Sequence, residues 1–206
     1  MNRSLPPLPE VLVLAAGFSR RLGKPKALAR VHGISLIRRT VRLLAAFSVR
    51  QIIVVIPPRS ARYRAELRGL NVTFAENLQR ADGLSSSVRL GISRGRYSSA
   101  LLVVPVDLMN LRRRDIARLI SRWRASRRRV VAKGFADHAG TPLIVPRWLY
   151  GPALRIAGDL GLRELVRRLP ADQLVRVSLP SAARDIDTPL DLRNARRRFV
   201  LSDPSF

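Results

Sequence analysis

Short apolar runs rich in Val, Ile and Leu recur along the chain, at residues 10–15 (EVLVLA), 51–56 (QIIVVI), 72–75, 100–104 (ALLVV) and 129–133 (RVVAK). None alternates apolar with polar positions. They therefore read as strands buried on both faces, the mark of a parallel sheet. Between them, residues 35–47, 61–68, 85–94 and 112–124 carry apolar side chains at helical spacing, and Ser35 and Ser60 stand where a helix cap is expected. Strand alternating with helix implies right-handed crossovers. The expected fold is a single-domain α/β, Rossmann-like, mostly parallel doubly wound sheet with helices on both faces. Further on, the pattern predicts a strand at 142–145, a helix at 162–169 and a strand at 174–179. Pro189 opens a last helix to about residue 198, in the first-turn position where proline is tolerated. The domain is expected over 9–200, with 1–8 and 201–206 as flexible tails and no internal repeat or linker.

Composition narrows the chemistry. At 206 residues and 47% hydrophobic, the chain is long enough for one sizeable core. It has no cysteine, which excludes disulfides, thiolate metal sites and cysteine nucleophiles, and its two histidines are too few for a histidine-built zinc site. No apolar run approaches the roughly 20 residues of a membrane helix, and the first residues contain no apolar signal core. A soluble cytoplasmic protein without membrane partners is expected. The net charge of +25 raises a nucleic-acid reading. However, the charge is nearly all arginine, spread over helix ends and outer faces, and aromatics are only 5%, so no stacking platform interleaves with it. Nucleic acid is the weaker reading, although the charge should still draw in anionic substrates.

The first strand runs directly into Leu14-Ala15-Ala16-Gly17-Phe18-Ser19-Arg20-Arg21-Leu22-Gly23-Lys24-Pro25-Lys26. Ligands of open α/β sheets collect at the carboxyl ends of strands. Small residues at 15–17 let backbone amides approach a ligand, and Arg21 and Lys26 add two positive charges. That combination suits a triphosphate whose leaving group must be neutralised. The alternative is a glycine turn with surface basics. The spacing matches neither GxxxxGK[ST] nor GxGxxG, which argues against P-loop hydrolases and dinucleotide oxidoreductases. Asp107, after the 100–104 strand, and Asp187, after the last strand, read either as turn residues or as two carboxylates sharing one Mg²⁺.

The segment LAAGFSRRLGKPKAL resembles the L-A-A-G-x-S-x-R-M-G-x-x-K signature of the molybdenum cofactor cytidylyltransferase family, nucleotidyltransferases related to the guanylyltransferases of molybdopterin dinucleotide synthesis. Asn77 followed by Gly83-Leu84-Ser85-Ser86-Ser87 is similar to the family's N…G-M-S-S-S segment. Val106-Asp107, Gly140-Thr141-Pro142, Gly158-Asp159-Leu160-Gly161-Leu162-Arg163 and Asp185-Ile186-Asp187-Thr188-Pro189 resemble, in order, its metal-binding strand end, G-H-P turn, G-D-x-G-x-R loop and D-I-D-T-P motif.

The resemblance implies a fold of the nucleotide-diphospho-sugar transferase type and a Mg²⁺-dependent nucleotidyl transfer. Arg21 and Lys26 would hold the triphosphate, with Leu14, Ala15, Ala16, Gly17 and Ser19 around it. Gly83, Ser85, Ser86 and Ser87 would line the nucleoside; helix capping is the other reading of the serines, and the two are compatible, with Ser85 capping the helix while Ser86 faces the ligand. Asp107 and Asp187 would hold the metal. Gly140, Thr141, Pro142, Gly158, Asp159, Gly161 and Arg163 would form the acceptor side. Cytosine-using members carry L-A-A-G where guanine-using relatives carry L-A-G-G, which implies CTP as donor, a phosphorylated pterin as acceptor and a molybdoenzyme as recipient. A sugar or alcohol phosphate acceptor, or a non-catalytic binding protein, are the other readings. Two departures stand out: Leu108-Met109-Asn110 replaces the family's residues after the metal-binding aspartate, and Thr141 replaces its histidine.

Overall fold

The runs at 10–15, 51–56 and 100–104 become buried strands because they have no polar face to offer solvent. A computed structural model describes residues 8–135, 138–182 and 185–198. In chain order the elements are β1 (Glu10–Leu14), the two-residue strands β2 (Arg30–Val31) and β3 (Ile34–Ser35), α1 (Leu36–Ala45), β4 (Ile52–Ile56), α2 (Ala61–Glu66) and β5 (Thr73–Glu76). Then follow α3 (Leu84–Arg94), β6 (Ala100–Pro105), α4 (Arg113–Ala125), β7 (Val130–Phe135), β8 (His138–Pro146), α5 (Tyr150–Leu154), α6 (Leu162–Arg167), β9 (Leu174–Val177) and α7 (Pro189–Arg198).

A seven-stranded sheet runs in the order β5-β4-β1-β6-β8-β7-β9, with β2 and β3 forming a separate antiparallel hairpin. The pairs β1–β4, β1–β6, β4–β5 and β7–β9 are parallel, while β8 runs antiparallel to both β6 and β7. The expected mostly parallel, doubly wound sheet is what forms. Its two successors on either side of β1 create the switch point at which the carboxyl ends of β1 and β6 open a crevice.

Each face of the sheet buries its own helices. Val11 and Val13 of β1 join Ile37, Val41, Ile116, Leu119 and Trp123 from α1 and α4. Leu12 points the other way, to Val88 and Ile92 of α3 and Val166 of α6. Burying each such side chain contributes about 1.5–3 kcal/mol, so the sheet anchors everything at its edge. A third, smaller cluster matters more for function. Leu22, Val31, Leu36, Met109, Ile186 and Leu192 pack together and tie the loop after β1, the hairpin, the loop after β6 and α7 into one unit.

Several expectations need correction. The strand expected at 142–145 is the longer β8, whose half-exposed, polar first half hides the strand pattern. The strand expected at 174–179 ends at Val177, and α5 and the hairpin were not expected. Ser35 caps α1 as expected, its hydroxyl accepting from the Arg38 amide at 3.3 Å. Ser60 precedes α2, but its hydroxyl donates to the Pro58 carbonyl instead. The N-cap of α3 is Gly83, not Ser85. The expected tails lie almost wholly outside the described residues. No helix among the described residues is long and apolar enough to cross a membrane.

Candidate active site

The loop after β1 starts as a continuation of the core: Ala15 and Ala16 are buried, and only from Gly17 does the chain reach solvent. Ser19 adopts a left-handed conformation (φ 54), which lets its Oγ accept from the Lys26 amide at 2.9 Å and close the loop on itself. Buried Leu22 fixes the loop to the third cluster. From this closed loop Arg21 reaches Asp187, and Lys26 reaches both Asp107 and Asp187.

Asp107 follows β6, and its carbonyl accepts from the amides of Met109 at 2.9 Å and Ile186 at 3.1 Å. The second bond brings the segment before α7 against the end of β6. Thr188 and Asp191 then fix Asp187 by a reciprocal cap. The Thr188 hydroxyl accepts from the Asp191 amide (3.2 Å), while Asp191 Oδ2 accepts from the amides of Thr188 (2.8 Å) and Asp187 (3.1 Å). These bonds to Thr188 and Asp187 hold the Asp191 carboxyl below the usual aspartate range.

The result is a convergence of four charges. Lys26 Nζ donates to Asp107 Oδ2 at 2.9 Å and to Asp187 Oδ1 at 2.6 Å, and Arg21 lies 2.8 Å from the other oxygen of Asp187. Burial on its own would lower the Lys26 pKa. The Asp107 charge and the bonds to both aspartates outweigh burial and raise it. Two carboxylates thus aim at one cation-sized position. An all-oxygen pair of this kind fits a hard divalent ion whose remaining ligands are phosphate oxygens and water. No group of three or more His, Cys, Asp or Glu side chains that could hold a metal exists among the described residues, so an ion here would take only two protein carboxylates. The departure after Asp107 has a structural reason: Leu108 and Met109 are core residues here, with the Met109 carbonyl held by Arg39 Nε at 3.0 Å.

Two adjoining cavities flank this cluster. One of about 450 Å³ is lined by residues 14–17, Ser19, Arg21, Lys26, Gly83, Ser87, Asp107 and Asp187. The other, about 830 Å³, is lined by Gly140, Thr141, Asp159, Gly161 and Arg163, together with Lys133, His138 and Asp185. Leu14, Leu84, Thr141 and Asp159 belong to both and form the shared wall. The expected nucleotide and acceptor residues therefore gather in two neighbouring groups, with exceptions. Pro142 is buried within β8 and lines neither cavity, and the Thr141–Pro142 peptide is cis. Gly158 supports rather than lines: its carbonyl accepts from the Ser85 amide at 3.1 Å and packs on Gly83. Ser85 and Ser86 are only 0% and 3% exposed. Ser86 donates to the Gly83 carbonyl (2.8 Å) and accepts from Asn77 Nδ2 (2.8 Å), so it holds the loop instead of facing the cleft as expected. Of the three serines, Ser87 is the one at the cavity wall.

Sequence reasoning did not single out Phe18, Arg20 and Arg80 on the smaller cavity or Lys133 and Asp185 on the larger one. Asp185 opens the Asp185-Ile186-Asp187-Thr188-Pro189 segment, which was the available signal. Partial desolvation, then the Asp107 charge, raises its carboxyl above the usual range, although the residue as a whole is exposed. Lys133 Nζ donates to the Ala182 carbonyl at 2.8 Å and so holds the cavity wall.

A switch-point crevice with a glycine loop, two cations and a carboxylate pair is suited to a phosphate-bearing ligand. The chain belongs to the MobA-like NTP transferase domain family, whose model matches residues 11–174. It is 28% identical over 193 residues to a probable molybdenum cofactor guanylyltransferase of Rhodopirellula baltica, covering 91% of this chain and 90% of the relative. It is 44% identical over 82 residues to a bifunctional IPC transferase and DIPP synthase of Rubrobacter xylanophilus, a match to 37% of this chain that spans only 19% of that relative's length. Among solved structures, Rv0371c of Mycobacterium tuberculosis superposes with a TM-score of 0.74 at 25% identity, over 92% of this chain and 98% of that one. The same protein in complex with manganese gives 0.72 at 22% identity, over 93% and 99%. A 4-diphosphocytidyl-2C-methyl-D-erythritol synthase of Anaerococcus prevotii gives 0.71 at 15%, over 94% and 96%.

Proposed function

We propose that the protein is a cytoplasmic, Mg²⁺-dependent nucleotidyltransferase that moves CMP from CTP to a molybdopterin-type acceptor and releases pyrophosphate. The observation that carries this is the meeting of Asp107, Asp187, Arg21 and Lys26 at the junction of two cavities. The smaller cavity holds the triphosphate against the loop amides. Arg21 and Lys26 bind the phosphates and neutralise the charge that develops on the pyrophosphate as it leaves. Asp107 and Asp187 would hold a divalent ion, which would supply further charge neutralisation when bound; a fold neighbour is known in complex with manganese.

The acceptor's phosphate is anionic near neutral pH, so it attacks the α-phosphorus without a general base. What the chain must do is align two repelling anions. The larger cavity, about 830 Å³, supports a ring-bearing acceptor such as a pterin over a small sugar or alcohol phosphate, which would leave most of it empty. Gly140, Thr141, Asp159, Gly161 and Arg163 are its acceptor-side residues. Ala16, on the wall of the smaller cavity, stands where guanine-using relatives carry glycine, which favours a pyrimidine. The full-length guanylyltransferase relative favours GTP as the second reading. A molybdoenzyme would receive the product.

Pyrophosphate release is measured with each of the four NTPs and Mg²⁺, with and without the pterin acceptor. Release with CTP only when pterin is present supports the proposal, and release with GTP moves it to the second reading. Release with a sugar phosphate instead replaces the acceptor, while saturable CTP binding without turnover removes the enzyme.

A further inference from the structure

Arg21 and Lys26 carry two positive charges, but in the folded chain both contact the aspartates, so Arg21, Lys26, Asp107 and Asp187 together are electrically neutral. A triphosphate brings several negative charges. A single divalent ion leaves part of that charge uncompensated, so the cleft needs cations not committed to carboxylates. Two such residues line it. Arg20 and Arg80 border the same cavity as Gly17 and Lys26, and neither has a salt-bridge partner among the described residues.

Their positions are fixed by an exposed aromatic residue. Phe18 is 48% exposed at the tip of the glycine loop, where burial does not account for a large apolar side chain. The Arg80 guanidinium lies 4.0 Å from the centroid of its ring and that of Arg20 lies 5.5 Å from it. Such stacking holds a planar guanidinium in place without neutralising it. Arg80 Nε is moreover buried with no hydrogen-bond partner among the described residues, a donor for which they supply no acceptor.

We propose that Phe18 holds Arg80, with Arg20 beside it, as a third cationic element of the site that binds the β- and γ-phosphates of the incoming nucleoside triphosphate. Phosphate is the ligand chemistry because a guanidinium fork matches it in two-point contacts. Phe18 belongs to the same glycine loop as Arg21, and lines the smaller cavity beside Arg21 and Lys26, the proposed phosphate-binding residues. This inference rests on the nucleotidyltransferase reading.

The test is calorimetric titration of CTP, CDP and CMP, with the GTP series in parallel, into the full chain and its Arg80→Ala, Arg80→Lys and Phe18→Leu variants, each checked for fold by circular dichroism. Arg80→Ala is expected to weaken triphosphate binding roughly 10- to 100-fold, the diphosphate less, and the monophosphate not at all. Phe18→Leu should weaken binding in the same order by a smaller factor, and Arg80→Lys should fall between wild type and Arg80→Ala. If Arg80→Ala does not fold, the other two variants carry the test. Wild-type CTP affinity in the folded variants, or an equal loss for CTP and CMP, would overturn the inference while leaving the proposed function standing. Failure of the wild type to bind any triphosphate would overturn both.

Discussion

Lys26 is the residue whose removal separates the electrostatics most clearly. It stands 2.9 Å and 2.6 Å from two carboxylates, with its own side chain 13% exposed and theirs 22% and 31%. In Lys26→Met the stem is kept and the charge is lost, leaving Asp107 and Asp187 facing each other. Removing one partner of a buried pair costs about 3–5 kcal/mol, but here water reaches both aspartates, so the expected loss is about 1–2 kcal/mol. For a chain of this length that is a fall of roughly 2–8 °C in Tm. Because the Lys26 pKa is raised, this stabilisation is complete below its ordinary value of 10.5 and disappears as pH rises through the higher folded value. The gap between wild type and variant should therefore be flat at neutral pH and close only in strong alkali. At the same time the ammonium competes with any divalent ion for the same oxygens. Mn²⁺ titration, followed by the loss of the free-ion paramagnetic resonance signal, should show tighter binding in Lys26→Met than in wild type. Saturating Mn²⁺ should restore the variant's Tm, since about 100 Kd of a ligand specific for the native state contributes about 2.7 kcal/mol. Turnover should collapse all the same, because the triphosphate loses its cation. Equal or weaker Mn²⁺ binding in the variant would refute the shared site.

Asp107→Asn and Asp187→Asn should each lower turnover by roughly 100- to 1,000-fold while the fold persists, as read by steady-state pyrophosphate release and circular dichroism. Gly83→Ala should destabilise the chain by roughly 2 kcal/mol or more in urea and abolish saturable nucleotide binding, because a Cβ at φ +87 would meet the Gly158 carbonyl and lie 2.6 Å from Asp159 Oδ1. Asp191→Asn should weaken the α7 cap by about 0.5–2 kcal/mol. The Asp191 pKa is depressed, so that difference is present above its ordinary 3.8 and vanishes as pH falls through the lower folded value, which denaturation across an acid series checks.

The sheet was legible in the sequence wherever burial on both faces removed every polar position, as in β1, β4 and β6. It was obscured where that pressure relaxes. The first half of β8 is half-exposed and carries His138, Gly140 and Thr141, so it lacks an apolar signal. The hairpin strands are two residues each, too short for any period. The helix α5 contains Gly151 and Pro152, which read as a break. In the site, Gly17, Arg21 and Lys26 were legible because one loop carries them. Asp107 and Asp187 were legible as separate strand-end acids, but their meeting depends on the Ile186–Asp107 backbone bond, which no local pattern encodes. Ser85 and Ser86 misled because a run of hydroxyls serves Asn77 and the Gly83 carbonyl as readily as a ligand. Arg80 and Phe18 meet from two different loops, and in a chain with 39 Lys and Arg a further arginine gives no contrast.

The central chemical claim is that the acceptor attacks the α-phosphorus in a site built by Asp107, Asp187, Arg21 and Lys26. Radiolabelled CTP tests it most directly, with the pterin acceptor and Mg²⁺ present. Label at the α-position should appear in the acceptor product and label at the γ-position in pyrophosphate. Transfer of the γ-label to the acceptor, or its release as inorganic phosphate, would contradict the account.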